Sequence, residues 1–274
     1  MAILIGLIIG AVLGLTGAGG SIFAVPLLIL LLGLAATEAM GLALGAVCAG
    51  ALLGAIRQRR QILWVPAAFL ATGGMLAAPF GKWIALSISE LWLIVGFTLI
   101  ALTIAVRMLT QASRHPESTQ QLRGSGVDQA EKQSGLACRL SSTGQFQLKP
   151  KCISGLIVGG LGIGLASGMF GVGGGFLIVP LLQYLSSVSM SKGIATSLAT
   201  ITLISGAGFG SHLLMSGATT VPLLLYVIAG AFVGMILSQG LSKKIAGPTL
   251  QKIFALLLIA VSILLLGQFI FSAR

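Results

Sequence analysis

Charge is what this chain has least of. Asp, Glu, Lys and Arg make up only 8% of its 274 residues, five of them acidic, and there are two histidines. A soluble globular domain carries about 25% charged residues. So few acids and imidazoles leave almost nothing from which to build a catalytic triad, a metal cluster or a paired-carboxylate site. We therefore expect neither an enzyme nor a protein that needs a cofactor or metal. No Walker-type loop, with Lys-Ser/Thr after a glycine string, is present to power a pump. The three cysteines, Cys48, Cys138 and Cys152, show no metal or redox spacing.

Apolar length is what the chain has instead. It is 56% hydrophobic, with mean hydropathy +1.07, more than one core of this size could hide. A bilayer can hide it. The 39 glycines fit the same setting, where they let helix backbones approach closely. The net charge of +11 would suit a nucleic acid, but no basic stripe is interleaved with aromatics. The basic residues stand beside apolar runs, so they read as orientation signals in a membrane, with no nucleic-acid partner. No basic region precedes the first apolar run, and that run recurs inside the chain, so we read it as part of the fold rather than a signal.

The recurrence is an internal repeat. Gly6–Leu28 (GLIIGAVLGLTGAGGSIFAVPLL) lies over Gly160–Leu182 (GLGIGLASGMFGVGGGFLIVPLL), and twelve of 23 positions are identical, six of them glycine. Glycine and proline in register are not expected by chance between two apolar segments. Three further apolar segments follow in each half: one near 39–56 and 193–214, one after Trp64-Val65-Pro66 and Val221-Pro222, and one near 91–109 and 249–271. The expected organisation is a transmembrane repeat at 1–110, a flexible cytoplasmic linker at 111–151 and a second transmembrane repeat at 152–274. The linker is rich in Gln, Ser and Gly and too poor in apolar residues to offset ordering entropy.

The first segment of each half is too long for one crossing. Ile3–Leu34 is 32 residues, about 48 Å as a helix against a hydrocarbon core of about 30 Å. Glycine strings break both segments, at Gly17-Ala18-Gly19-Gly20 and at Gly171-Val172-Gly173-Gly174-Gly175. If each such segment turns back, Arg57, Arg59, Arg60, Arg107, six linker residues, Lys192, Lys243, Lys244 and Lys252 share one face. Only Lys82 and Arg274 oppose those fourteen. The positive-inside rule favours that arrangement over single crossings. The expected fold is therefore all-α and polytopic. It has two four-segment inverted repeats, with half-helix pairs meeting near the midplane and both termini outside.

Helix starts at those breaks offer free N–H groups and a positive dipole end to an anion. We read Gly17, Gly19, Gly20 and Ser21, with Gly171, Gly173, Gly174 and Gly175, as the substrate-binding set. Gly6, Gly10 and Gly14, spaced by four, read as helix packing. Thr196 and Thr200 share one helical face, and with Ser197 they either satisfy helix carbonyls or contact substrate. His212 reads as an interfacial residue.

At the repeated Gly-x-Gly-Gly-(Ser/Gly)-x-x-x-Val-Pro-Leu-Leu string the chain resembles the TauE/SafE, or sulfite exporter, family of bacterial permeases. The match runs through Gly17, Gly19, Gly20, Val25, Pro26 and Leu27, then Gly171, Gly173, Gly174, Gly175, Val179, Pro180 and Leu181. Ala195-Thr196-Ser197-Leu198 looks like the family's Thr-Ser-Leu element, which the first half lacks, and Ser21 replaces a glycine. The resemblance implies a secondary transporter of sulfite or organosulfonates in the bacterial inner membrane. An anion channel and a membrane scaffold or maturation factor are the competing classes. A coupling proton and self-association stay open. Single cysteines at Ala2, Ser216 and Ser272 are expected to react with an impermeant thiol reagent from outside, and those at Gln58, Ser125 and Ser242 to be protected. Labelling of Ser125 with protection of Ala2 would sink the inverted arrangement.

Overall fold

The computed structural model describes residues 1–16, 20–114, 139–140, 146–147, 150–186, 188, 190–216, 221–241 and 247–272. Among them it is all-α apart from one two-residue ladder, Arg139–Leu140 against Phe146–Gln147. The first half holds α1 (Ala2–Thr16), α2 (Ser21–Leu32), α3 (Ala36–Arg57), α4 (Trp64–Ser87) and α5 (Glu90–Arg114). The second holds α6 (Pro150–Phe170), α7 (Gly175–Leu185), α8 (Met190–Ser216), α9 (Val221–Leu241) and α10 (Gly247–Ser272). Helices α5 and α6 reach a few residues into the expected linker, most of which lies outside the described residues. Helices α3, α4, α6 and α8 are long and apolar enough to cross a membrane.

The broken first segments turn back. In the second half Gly159 meets Leu181 and Gly155 meets Leu185, so α7 runs antiparallel to α6. In the first half Gly20 lies against Val12 and Leu13, which a continuous helix would place two turns away. Helices α2 and α7, of 12 and 11 residues, are each about 17 Å long, roughly half the hydrocarbon core. Helix α6, at 21 residues, is about 32 Å long and exceeds the half-helix expected for it.

Two glycine seams hold the halves together. Gly6, Gly10 and Gly14 of α1 meet the backbone or side chains of Val227, Ala231, Met235 and Ser238 on α9. At the equivalent repeat positions, Gly160, Gly164 and Gly168 of α6 meet the carbonyls of Leu70, Gly74 and Ala78 on α4. Numbers rise together along both seams, so each pair is parallel. Small residues every fourth position let these backbones touch, where dispersion and weak Cα–H···O contacts act without any hydrophobic drive.

Between the seams α3 crosses its own repeat equivalent, α8. Gly41 meets His212, Gly45 meets Phe209 and Gly54 meets Leu198, so these two run antiparallel. At their crossing the Cys48 thiol donates to the Thr202 carbonyl at 3.4 Å. These two positions are themselves 154 apart. Repeat-related helices that run antiparallel are what an inverted repeat requires.

The outward surface is apolar. Leu76, Phe80 and Leu86 of α4, Leu99 and Leu102 of α5, and Leu237, Leu256 and Leu264 of α9 and α10 are all exposed, as lipid contact requires. Trp64 and Trp83, also exposed, stand nineteen residues apart on α4. That is about 28 Å, so the pair can mark the two interfaces.

A Cβ at Gly160 would lie 2.5 Å from the Leu70 carbonyl oxygen, whereas one at Gly162 meets nothing within 4 Å. Gly160→Leu is therefore expected to destabilise the fold by about 1–3 kcal/mol or more. Gly162→Ala on the same helix should be neutral. Thermal midpoints in detergent, read by size-exclusion chromatography, check the contrast.

Candidate functional site

The second-half break is the better-defined of the two. Helix α6 ends at Phe170, and the Gly171 N–H donates to the Ser167 carbonyl at 2.8 Å, closing its last turn. Gly171, Gly173 and Gly174 then take φ of 71°, 68° and 67°, a left-handed conformation that only glycine adopts without strain. That run of positive angles reverses the chain within four residues. Gly175 opens α7, with Gly174 as its N-cap.

The turn is enclosed. Gly171 backs onto Met40 of α3. A Cβ at Gly173 would lie 2.7 Å from Ser205 Oγ and 3.0 Å from Val47. Ser205 and Val47 stand near the middles of α8 and α3, so Gly173 is close to mid-length of both helices. Gly171 through Gly175 are all buried. In the first half Gly20 and Ser21 are also buried, and Ser21 is already engaged in an interaction. Gly17 and Gly19 lie outside the described residues.

The structure does not bring Thr196 to this turn. Its Oγ1 donates to the Lys192 carbonyl at 2.7 Å and accepts the Leu63 N–H at 3.0 Å. Leu63 precedes α4, so Thr196 ties the second half to the α3–α4 connection. Ser197 donates to the Ile194 carbonyl at 2.8 Å, and Thr200 to the Thr196 carbonyl at 2.9 Å. Nine residues, or about 14 Å of helix, separate Thr196 from Ser205. These hydroxyls satisfy backbone groups, as mid-helix Ser and Thr commonly do.

Two residues read from sequence as surface groups are in fact interior. Lys82 is 1% exposed and His212 3% exposed. Lys82 sits on the face of α4 opposite the lipid-facing Phe80 and Trp83, its backbone against Gly168 of α6. The His212 imidazole lies against Gly41. Neither Lys82 Nζ nor His212 Nδ1 has a hydrogen-bond partner among the described residues, and Ser167 Oγ and Ser205 Oγ share that condition. Aligning Pro66 with Pro222 places Lys82 over Ser238, so only one half carries the charge. A basic residue inside a spanning segment was the signal that could have flagged this site.

The family described as sulfite exporter TauE/SafE matches residues 2–265. A probable membrane transporter protein of Xylella fastidiosa strain 9a5c is 28% identical over 262 residues, covering 93% of this chain and 90% of that protein. The probable membrane transporter protein YunE of Bacillus subtilis is 33% identical over 110 residues, 40% of each chain. MamO of Magnetospirillum gryphiswaldense, also a probable membrane transporter protein, is 34% identical over 39% of this chain and 18% of its own length. No solved structure matches the chain.

Thr196→Val removes the acceptor of the Leu63 N–H. The expected result is a stability loss of about 1–3 kcal/mol, read as a lower thermal midpoint, with substrate affinity unchanged. A drop in affinity at unchanged stability would restore Thr196 to the binding set.

Proposed function

The chain belongs to the TauE/SafE sulfite exporter family, and we propose that it is a secondary transporter of small sulfur-containing anions, such as sulfite or an organosulfonate. It is a multi-pass membrane protein of a transporter family, so a bilayer and a small substrate come with that membership. The substrate, the bacterial inner membrane and the absence of an enzymatic activity belong to our reading.

One observation carries it. A buried chain break of left-handed glycines, enclosed near mid-length of α3 and α8, opens directly into the N-terminus of α7. Irregular backbone at membrane depth is tolerated where protein encloses it or where it lines a path. Half-helix N-termini at such breaks suit the acidic group of an anion. Ser205 faces Gly173 and adds a hydroxyl from the opposite wall. A backbone-dipole site binds oxyanions without many salt bridges, which favours release as well as capture.

The antiparallel α3–α8 crossing supports the inverted arrangement. Both helices are long enough to span, so an axis perpendicular to them lies in the membrane plane, and each half opens toward an opposite face. Burial of Lys82 also removes it from the surface charges, leaving Arg274 alone opposite the fourteen basic residues. One observation pulls the other way. Cys152, at the start of α6, is disulfide-bonded, and disulfides persist mainly in oxidising compartments. Fourteen charges outweigh one bond in setting orientation, so the linker goes to the cytoplasm. The labelling positions Ser125 and Ser242 lie outside the described residues, which leaves that test independent of the structure.

A channel is the second class. Saturable flux that responds to an ion gradient separates a carrier from a channel. In proteoliposomes we expect saturable uptake of sulfite or a small sulfonate, with and without a proton gradient imposed, and none of choline or glucose. Gly174→Leu, which puts a side chain at φ 67° against Ile163, should abolish uptake while protein still reaches the membrane. Transport confined to cations or neutral solutes would defeat the anion reading. Transport of a carboxylate but no sulfur compound would defeat only the choice of substrate.

A further inference from the structure

Lys82 Nζ, Ser167 Oγ, Ser205 Oγ and His212 Nδ1 are four buried polar atoms on α4, α6 and α8 without a hydrogen-bond partner among the described residues. The residues are between 0% and 3% exposed. Buried polar groups in native proteins are almost always bonded, so four together call for a physical cause. A fifth such atom is Ser262 Oγ on α10.

Contacts connect the four around the second-half turn. The Lys82 backbone lies against Gly168, the neighbour of Ser167. The Ser167 carbonyl holds the Gly171 N–H, and Gly171 backs onto Met40. Gly41, the next residue, meets the His212 imidazole. Ser205 stands seven residues before His212 on one face of α8, about 10 Å away, opposite Gly173. Four residues with unbonded buried polar atoms are thus grouped around the glycine turn.

An ammonium with no hydrogen-bond partner among the described residues is expensive to keep inside a membrane protein, and such residues mark ion paths. The hydroxyls beside it are able to donate to oxyanion acceptors. Within the anion-carrier reading above, we propose that Lys82 supplies the single fixed positive charge of the transport site. Ser167, Ser205 and His212 complete it, and the ligand is a monoanionic oxyanion such as a sulfonate or bisulfite. Two neighbouring buried cations would repel each other, so we assign the site one charge. A monoanion neutralises that charge, whereas a dianion such as sulfate carries an uncompensated charge into low dielectric. Ser238, the Lys82 equivalent, lies against Gly14, donates to its own helix at the Met235 carbonyl, 3.2 Å away, and brings no charge there.

The test uses the purified full chain, with methanesulfonate and sulfate as probes and ligand-induced thermal stabilisation as readout. Wild type should be stabilised by methanesulfonate at concentrations about tenfold below those of sulfate. Lys82→Met should weaken methanesulfonate binding by about 10- to 100-fold, while its ligand-free thermal midpoint stays level or rises. A lysine with a purely structural role would lower that midpoint instead. Lys82→Arg, which keeps the charge, should bind within a few-fold of wild type. Wild-type affinity in Lys82→Met, or sulfate binding as tightly as methanesulfonate, overturns the inference. Should Lys82→Met fail to reach the membrane, Ser167→Ala and Ser205→Ala decide. Each should weaken binding by about three- to tenfold, and unchanged affinity in both overturns it. A wild-type protein that binds neither probe and transports no anion fails the carrier reading itself, whereas anion transport independent of Lys82 fails only this inference.

Discussion

Hydrocarbon supplies no hydrogen bonds, so each backbone N–H and C=O at membrane depth must find its partner within the protein. The two chain reversals depend on that constraint. A helix can be interrupted inside a bilayer only where other helices shield the interruption, and α3 and α8 do so here for the second-half turn. Their antiparallel crossing covers it with Met40, Val47 and Ser205. The two glycine seams bring the remaining helices close enough to seal the flanks. A larger residue in either seam would push α1 from α9 or α6 from α4, and would open the broken backbone to lipid.

Hydroxyl groups divide into two populations under the same constraint. Thr98, Thr103, Ser186, Thr196, Thr200, Thr202 and Ser211 each donate to a carbonyl three or four residues back. Those bonds keep polar side chains silent in an apolar setting. Ser167 and Ser205 do not make them, although their helical positions would allow it. Both lie beside the glycine turn, where a hydroxyl that remains uncommitted is available to something else. Chemically identical side chains thus play different parts, and only their environment tells them apart.

That distinction explains what the sequence made legible. The repeat, the helical class and the turning-back of the first segments all follow from periodic features, namely glycine and proline in register, run length and charge count. Helix ends fell within a few residues because Pro, Gly and charged residues punctuate them. Lys82 escaped because it stands beside Trp83 near a helix end, where a lysine normally reaches out to the interface. What turns it inward is Gly168, on the other half of the chain, and no local pattern encodes that contact. His212 was hidden in the same way by Gly41. Thr196 shows the opposite case: its motif left a backbone partner and a ligand equally open, and the Leu63 N–H that it accepts lies 133 residues away, where no local pattern reveals it.

The mismatch of Lys82 with Ser238 has an electrical side. In two repeats of equal charge, exchanging their roles moves no net charge along the membrane normal. With the ammonium in one half only, the empty carrier and the carrier holding a monoanion differ by one elementary charge. The transmembrane field acts on such a charge with about 2.3 kcal/mol per 100 mV for a full traverse, and with a proportionate fraction for a shorter one. In the carrier proposed above, membrane potential would bear on the empty return step and leave the loaded step untouched. A gene duplication that diverged at one position would in this way give a symmetric scaffold a preferred direction.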